Sequence, residues 1–538
     1  MGCGSSTPVA AAPTATPPKP APPAKGGGAA VHTEETVLPP ILPVSGVKES
    51  NAANAAAFES GALKHRPPTF EFFDPIGNEG LQVDIKEIKL PRATQTHEVC
   101  YEPVTQCVFI SQMSSCVLVR IPLDTNGFLL DDQDAWKIGA CNEVGDGIEG
   151  IHNVSLSATH PGCLWLSLQY ANQLLLVDVT AKHTMLVRQI IQVPTVYTHP
   201  ESGARIHVGG PHCMRECPHT GDIWAGLKGA LKDAPCGERK KEGPTGRSSC
   251  CDPAQLEANM GELAKRGEHD VPIPDGWAVW RVTPSKYDPM AADGAKGGVL
   301  YPCLKSPPML DFDAEGNCYV PQDGVDTMLV IEPKSGVCEQ LSVPFPASGS
   351  TPRITGPAIG TAPDGSVWMS LLGSYNTLVK IDPANGRRRT LYEFGGPPWC
   401  KKVRLIHLAF SAADAHDEHN RIYALASDLL DDEAVNAVVI LSFDATWSTC
   451  VGRRIIPLPT QDCACHRVAF IDAQIPGRAM SSRSIAITEL ASSKLLQIKT
   501  RNIRDTSRLV ETVSTDADGF EVRQYATAED CEDAGRAV

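Results

Sequence analysis

Short stretches of alternating apolar and polar residues, separated by glycine- or asparagine-bearing turns, recur from about residue 84 to 512. The clearest copy opens with Asp364-Gly365-Ser366-Val367-Trp368-Met369-Ser370. It continues with Asn376-Thr377-Leu378-Val379-Lys380-Ile381-Asp382, and Gly386 then leads into Thr390-Leu391-Tyr392. Period-two alternation between turn signals is the pattern of short antiparallel strands, and with a strand ahead of this copy the unit holds four. The same pattern starts near Gln106, Gly162, Gly221, Gly316, Asn420 and Ser484. Units of four strands at this spacing predict an all-β fold, a seven-bladed β-propeller. Val83 to Leu90, ahead of the first copy, reads as a strand that closes the ring against the last blade.

The pattern is absent at both ends. Residues 1–65 are rich in Ala, Pro, Gly and Thr, with almost no large apolar side chain before Val37, and predict a disordered, partly polyproline-like tether. Residues 514–538 read as an acidic disordered tail. The third unit is interrupted by an insert at about 229–276, partly helical in pattern. Asp252-Pro253 opens it and Leu256, Met260 and Leu263 share a face. It reads as a tolerated excursion ahead of a lid.

A net charge of -15 speaks against general nucleic-acid binding. Met1-Gly2-Cys3-Gly4-Ser5-Ser6 fits N-myristoylation on Gly2, and Cys3 beside it is a palmitoylation candidate. One acyl chain binds a membrane only marginally, so two are expected, which would place the protein at the cytosolic face of a membrane, the plasma membrane first. In that compartment the 19 cysteines are expected as free thiols.

Candidate chemistry lies at the starts of the innermost strands. His97, His152, His212, His407 and His466 fall there in the first, second, third, sixth and seventh units, which are contiguous around a closed ring. Glu489 ends the second strand of the seventh. In a hairpin the start of one strand and the end of the next share a face. A carboxylate and two imidazoles, Glu489, His466 and His407, are therefore expected to converge on a metal, or to act as a base and its orienter. The alternative is that the histidines stitch blades together. A zinc site from His212, Cys213, Cys217 and His219 with Cys236, Cys250 and Cys251 has no standard spacing. The cluster Asp414, His416, Asp417, Glu418 and His419 reads as a solvated loop on the other face.

The copy from Asp364 to Gly386, and Gly210-Pro211-His212 ahead of Asp222-Ile223-Trp224, resemble the repeat of the streptogramin lyase (virginiamycin B lyase) family. The repeat is shared with gluconolactonase-like propellers. The resemblance implies a seven-bladed propeller that opens a cyclic depsipeptide at its ester by elimination, with magnesium polarising the ester. It implies His466 as the catalytic base, His407 as a substrate-binding histidine and Glu489 as a metal-binding glutamate. His97, His152 and His212 would complete the substrate surface. Two positions depart from the family: Ala464 stands where it has a second metal-binding glutamate, and His97 stands where it has a tyrosine. Losing a carboxylate and gaining imidazoles shifts the expected divalent metal from magnesium toward a transition metal.

Two functions follow. One is a metal-assisted lyase acting on a small cyclic ester or lactone. The other is a non-catalytic, membrane-tethered propeller that binds protein partners.

Overall fold

The computed structural model describes residues 85–527, apart from 139–149, 229–275, 347–354, 372–375, 395–402, 429–435, 475–481, 501–506 and some single or paired positions. It also describes 59–61, 70–72 and 78–80. All of these fall in the unit Leu38–Val538. The helical pattern expected at 229–276, apart from Gly276, the acyl positions Gly2 and Cys3, and the tether before residue 56 lie outside the described residues. No helix among the described residues is long and apolar enough to cross a membrane.

The fold is an all-β, seven-bladed propeller. The innermost strands are Thr96–Glu102, Ile151–Leu156, Pro211–Glu216, Asp311–Phe312, Thr355–Thr361, Leu405–Ser411 and Cys465–Ala473, which number blades 1 to 7. Each pairs antiparallel with the strand that follows it. The second strands carry the aromatic expected from the repeat, namely Phe109, Trp165, Trp224, Tyr319, Trp368 and Tyr423 in blades 1 to 6. All six are fully buried and fill the wedges between blades.

Blade 7 obtains its outer strand from the start of the propeller. Ile85–Lys89 pairs antiparallel with Lys494–Lys499, as expected from Val83 to Leu90. A sheet closed in this way leaves no edge between first and last blades.

The expectation of disorder from residue 514 does not hold over 514–527. Ser507–Thr515 and Glu521–Thr527 form a hairpin. Its second strand runs parallel to Arg388–Phe394, the outer strand of blade 5, and its first touches Cys450–Pro457, the outer strand of blade 6. Blades 5 and 6 thereby join in one ten-stranded sheet. The acidic count hid this hairpin, because its charges are paired. Arg523 bridges Glu511 and Glu521 at 2.8 and 2.7 Å, and Tyr525 stacks on Tyr392 and Phe394. Residues 528–538 lie outside the described residues.

Candidate functional site

The hub is built on a β-bulge repeated around the ring. In blade 7, Cys465 pairs with Glu489 and Arg467 with Thr488, so His466 is the extra residue. In blade 2, His152 is skipped between Ile151 and Asn153, and in blade 3, His212 between Pro211 and Cys213. The register of blade 1 slips between Thr96 and Val99, across His97. A bulge re-aims its side chain and leaves the next amide without its ladder partner. That amide is taken by a hydroxyl on the second strand: Glu98 N–H donates to Ser111 Oγ, Asn153 N–H to Ser167 Oγ and Arg467 N–H to Thr488 Oγ1, each at 3.0 Å. Two of these hydroxyls donate onward to the next blade, Thr488 to the His97 carbonyl at 2.8 Å and Ser111 to the His152 carbonyl at 3.1 Å. The histidine backbone therefore stitches blades 7, 1 and 2.

The bulged imidazoles form a chain across four blades. Ring centroids lie 4.0 Å apart for His466 and His97, 3.8 Å for His97 and His152, and 3.7 Å for His152 and His212. All four are buried. Burial first, and then the neighbouring His152 and His466 with Arg467 and His212 behind them, holds His97 well below the ordinary histidine value. Burial and then Arg467 hold His466 down, with smaller contributions from His407 and His212. Neutral rings at this spacing stack, whereas charged rings would repel.

Hydrogen bonds set the tautomers. His466 Nδ1–H faces the His97 carbonyl at 3.4 Å, and its Nε2 accepts from Arg467 Nη1 at 3.3 Å. His212 Nδ1–H donates to the Pro308 carbonyl at 2.9 Å. That segment approaches closely because Gly226 lies beneath it, where a Cβ would sit 2.9 Å from the Pro307 oxygen. Beside the rings run the residues that follow each bulge. Glu98 accepts from Arg467 Nε and Asn153 Nδ2, both at 3.2 Å, and all three side chains are buried.

His407 is one position out of this frame. In blade 6 the skipped residue is Ile406, and His407 pairs with Leu425. His407 thus corresponds to Arg467, not to His466. Its Nδ1 accepts the Val468 N–H at 3.2 Å, and burial, then Arg467 and Arg215, hold it well below the ordinary value.

Glu489 turns away from the rings. Its carboxylate accepts from Ser492 Oγ, and the charges nearest it are Glu87 and Lys494, on the closing strand and the strand beside it. Lys494 Nζ in turn lies 3.1 Å from Glu87 and 2.9 Å from Thr460 Oγ1. Burial pushes the Glu489 carboxyl up to about 7. Among the described residues no group of three or more His, Cys, Asp or Glu side chains is arranged to hold a metal ion. The three residues expected to converge on one atom, His407, His466 and Glu489, have separate hydrogen-bond partners. His466 spends both nitrogens on neighbours, His407 belongs to a different layer and Glu489 faces the ring closure.

The other candidates are also located. Cys213 and Cys217 lie in the apolar core between blades 3 and 4, and burial pushes the Cys213 thiol up to about 12. Cys236, Cys250, Cys251 and His416 lie outside the described residues. Asp414 and Asp417 sit, as expected, in the connection between the first two strands of blade 6, held by Arg483 and Arg421. The sequence reading missed Glu98, Asn153 and Arg467, and the hydroxyls Ser111, Ser167 and Thr488. A signal was present: in three units the histidine is followed at once by a polar residue and then a valine, as His97-Glu98-Val99, His152-Asn153-Val154 and His466-Arg467-Val468.

The fold and hub together define a seven-bladed β-propeller with a sealed histidine layer. No protein-family model matches the chain, and no curated protein sequence matches it. Solved propellers do resemble it. A catalytically inactive virginiamycin B lyase from Staphylococcus aureus with quinupristin is 13% identical with a TM-score of 0.45, over 80% of this chain and 100% of that one. A periplasmic gluconolactonase from Pseudomonas aeruginosa is 14% identical with a TM-score of 0.41, over 73% and 97%. A chain of the mitotic checkpoint complex is 11% identical with a TM-score of 0.43, over 82% and 100%. At these values the likeness stops at the fold and has no bearing on the chemistry of the hub.

Proposed function

We propose that this protein is a non-catalytic propeller scaffold that binds protein partners, with the histidine hub serving to lock the ring. The observation that supports this reading most is the bond from the Arg467 guanidinium to His466 Nε2. A general base needs that lone pair free and within reach of substrate. Here it is occupied on a residue only 4% exposed. Acylation at Gly2 and Cys3 would hold such a scaffold at a membrane, and that part of the reading rests on the sequence motif alone.

The test is metal content and turnover in the full chain. Elemental analysis after incubation with magnesium, manganese and zinc should find less than one equivalent of any metal. Cyclic depsipeptide and lactone substrates should be turned over no faster by the protein than by His466→Ala. Stoichiometric metal, or turnover that His466→Ala abolishes, would refute the scaffold reading and restore the lyase-like one.

A further inference from the structure

Below the histidine layer the innermost strands supply a second layer, fixed by register. Arg215 pairs with Trp224. The matching positions of the other blades are Cys100, Ser155, Asp311, Gly360, Ala409 and Ala469. Every one of these is short. Gly360 has no room even for a Cβ, which would lie 2.7 Å from the Phe410 ring. Arg215 is thus the one long side chain at this level of the hub. Solvent reaches the layer although the histidines above it are sealed: Cys100, Arg215, Asp311 and Ala469 are all half-buried.

Among the described residues, Arg215 donates no hydrogen bond and joins no ion pair. Its nearest carboxylate is already engaged, since Asp311 accepts the Phe312 N–H at 3.0 Å and the Thr361 N–H at 2.9 Å. The Arg215 charge acts on Cys100, Asp311 and His407, on blades 1, 4 and 6, in keeping with its register position on the innermost strand of blade 3. The Arg215 guanidinium is thus left to solvent, and its planar fork of donors matches the two oxygens of a carboxylate or phosphate. Burial raises the Asp311 carboxyl, while Arg215 and the bonds from Phe312 and Thr361 pull it back down.

We propose that Arg215 anchors a binding site for a small oxyanion, a carboxylate or phosphate group, in the central channel beneath the histidine layer. The other side chains at this level are small, so recognition rests on the guanidinium fork. The site is independent of the scaffold reading, because it uses no residue of the histidine chain.

Inorganic phosphate and sodium acetate are titrated separately into the purified full chain at constant ionic strength, by calorimetry and phosphorus-31 line width. Saturable binding of at least one anion is expected. Displacement of phosphate by acetate assigns the carboxylate arm, and resistance to it assigns the phosphate arm. R215Q should weaken binding tenfold or more with an unchanged far-ultraviolet circular dichroism spectrum. Saturable binding of neither anion, or equal affinity in wild type and R215Q, overturns the proposal. Should R215Q fail to fold, R215K decides: a several-fold loss supports the forked contact, and wild-type affinity contradicts it.

Discussion

At the residue scale, the hub links charge state to stability. His97, His407 and His466 are held neutral, with folded values below the unfolded value of about 6.5. In the unfolded chain they bind protons that the folded chain refuses, so stability falls as pH drops below about 6.5. Each contributes at most about 1.4 kcal/mol per pH unit until its folded value is reached. The charged and titratable groups facing them are Arg467, Arg215, His152, His212 and one another, and the one carboxylate beside the rings, Glu98, is paired with Arg467. Glu489 acts in the opposite sense. Its folded value of about 7 lies above the unfolded one, so its protonated form stabilises below about 4.5 and that contribution is lost as pH rises through 7. Glu489→Gln should therefore be stabilising by about 1–3 kcal/mol at pH 8 in urea titrations and nearly neutral at pH 5. Arg467→Met should cost about 3–5 kcal/mol, because it leaves Glu98 buried without its ion partner.

At the element scale, two strand additions hold the ring. Ile88 of the closing strand is fully buried against blade 7. Ile88→Ala should lower stability by about 2–4 kcal/mol and broaden the unfolding transition. The C-terminal hairpin clasps blades 5 and 6, and Tyr525 is 1% exposed between Tyr392 and Phe394. Tyr525→Ala should cost about 3 kcal/mol, read as a lower urea midpoint. The closing strand was legible because Val83 to Leu90 carries period-two alternation next to the repeat. The hairpin was not. Its exposed side chains mix Thr512, Ser514, Thr515 and Gln524 with Val510 and Val513, so no clean alternation marks it, and pairing with Arg523 and docking on blade 5 hold it as a strand pair. The histidines were legible by type and blade, but His407 was misaligned by one. A bulge adds a residue that no turn signal marks, and Ile406 takes the slot in blade 6.

At the scale of the whole molecule, seven like blades place like positions in layers, and a break in one layer shows where the design departs from repetition. The hydroxyl that takes the amide after the bulge is present in blades 7, 1 and 2 and gives way to Gly226 and Leu425 in blades 3 and 6. The imidazole chain covers the same side of the ring, beginning in blade 7 and ending in blade 3. The proposed scaffold reading gives the histidines an architectural role where the sequence suggested catalysis, and Glu489, the only acid at its position in the repeat, neighbours Glu87 and Lys494 at the ring closure. Should Gly2 accept a myristoyl group, metabolic labelling with an alkyne fatty acid will mark the full chain and not Gly2→Ala, and the scaffold will fractionate with membranes only in the first case.

The central claim is that His97, His407 and His466 are held neutral in the buried hub, with His466 engaged by the His97 carbonyl and Arg467. Nitrogen-15 correlation spectra of histidine-labelled protein through a titration from pH 8 to pH 5.5 test it most directly. The account predicts that His97, His407 and His466 show no protonation over that range, with His466 carrying its proton on Nδ1. Ordinary titration near pH 6.5, or ring shifts of His466 and His407 together on adding one equivalent of zinc, would contradict it.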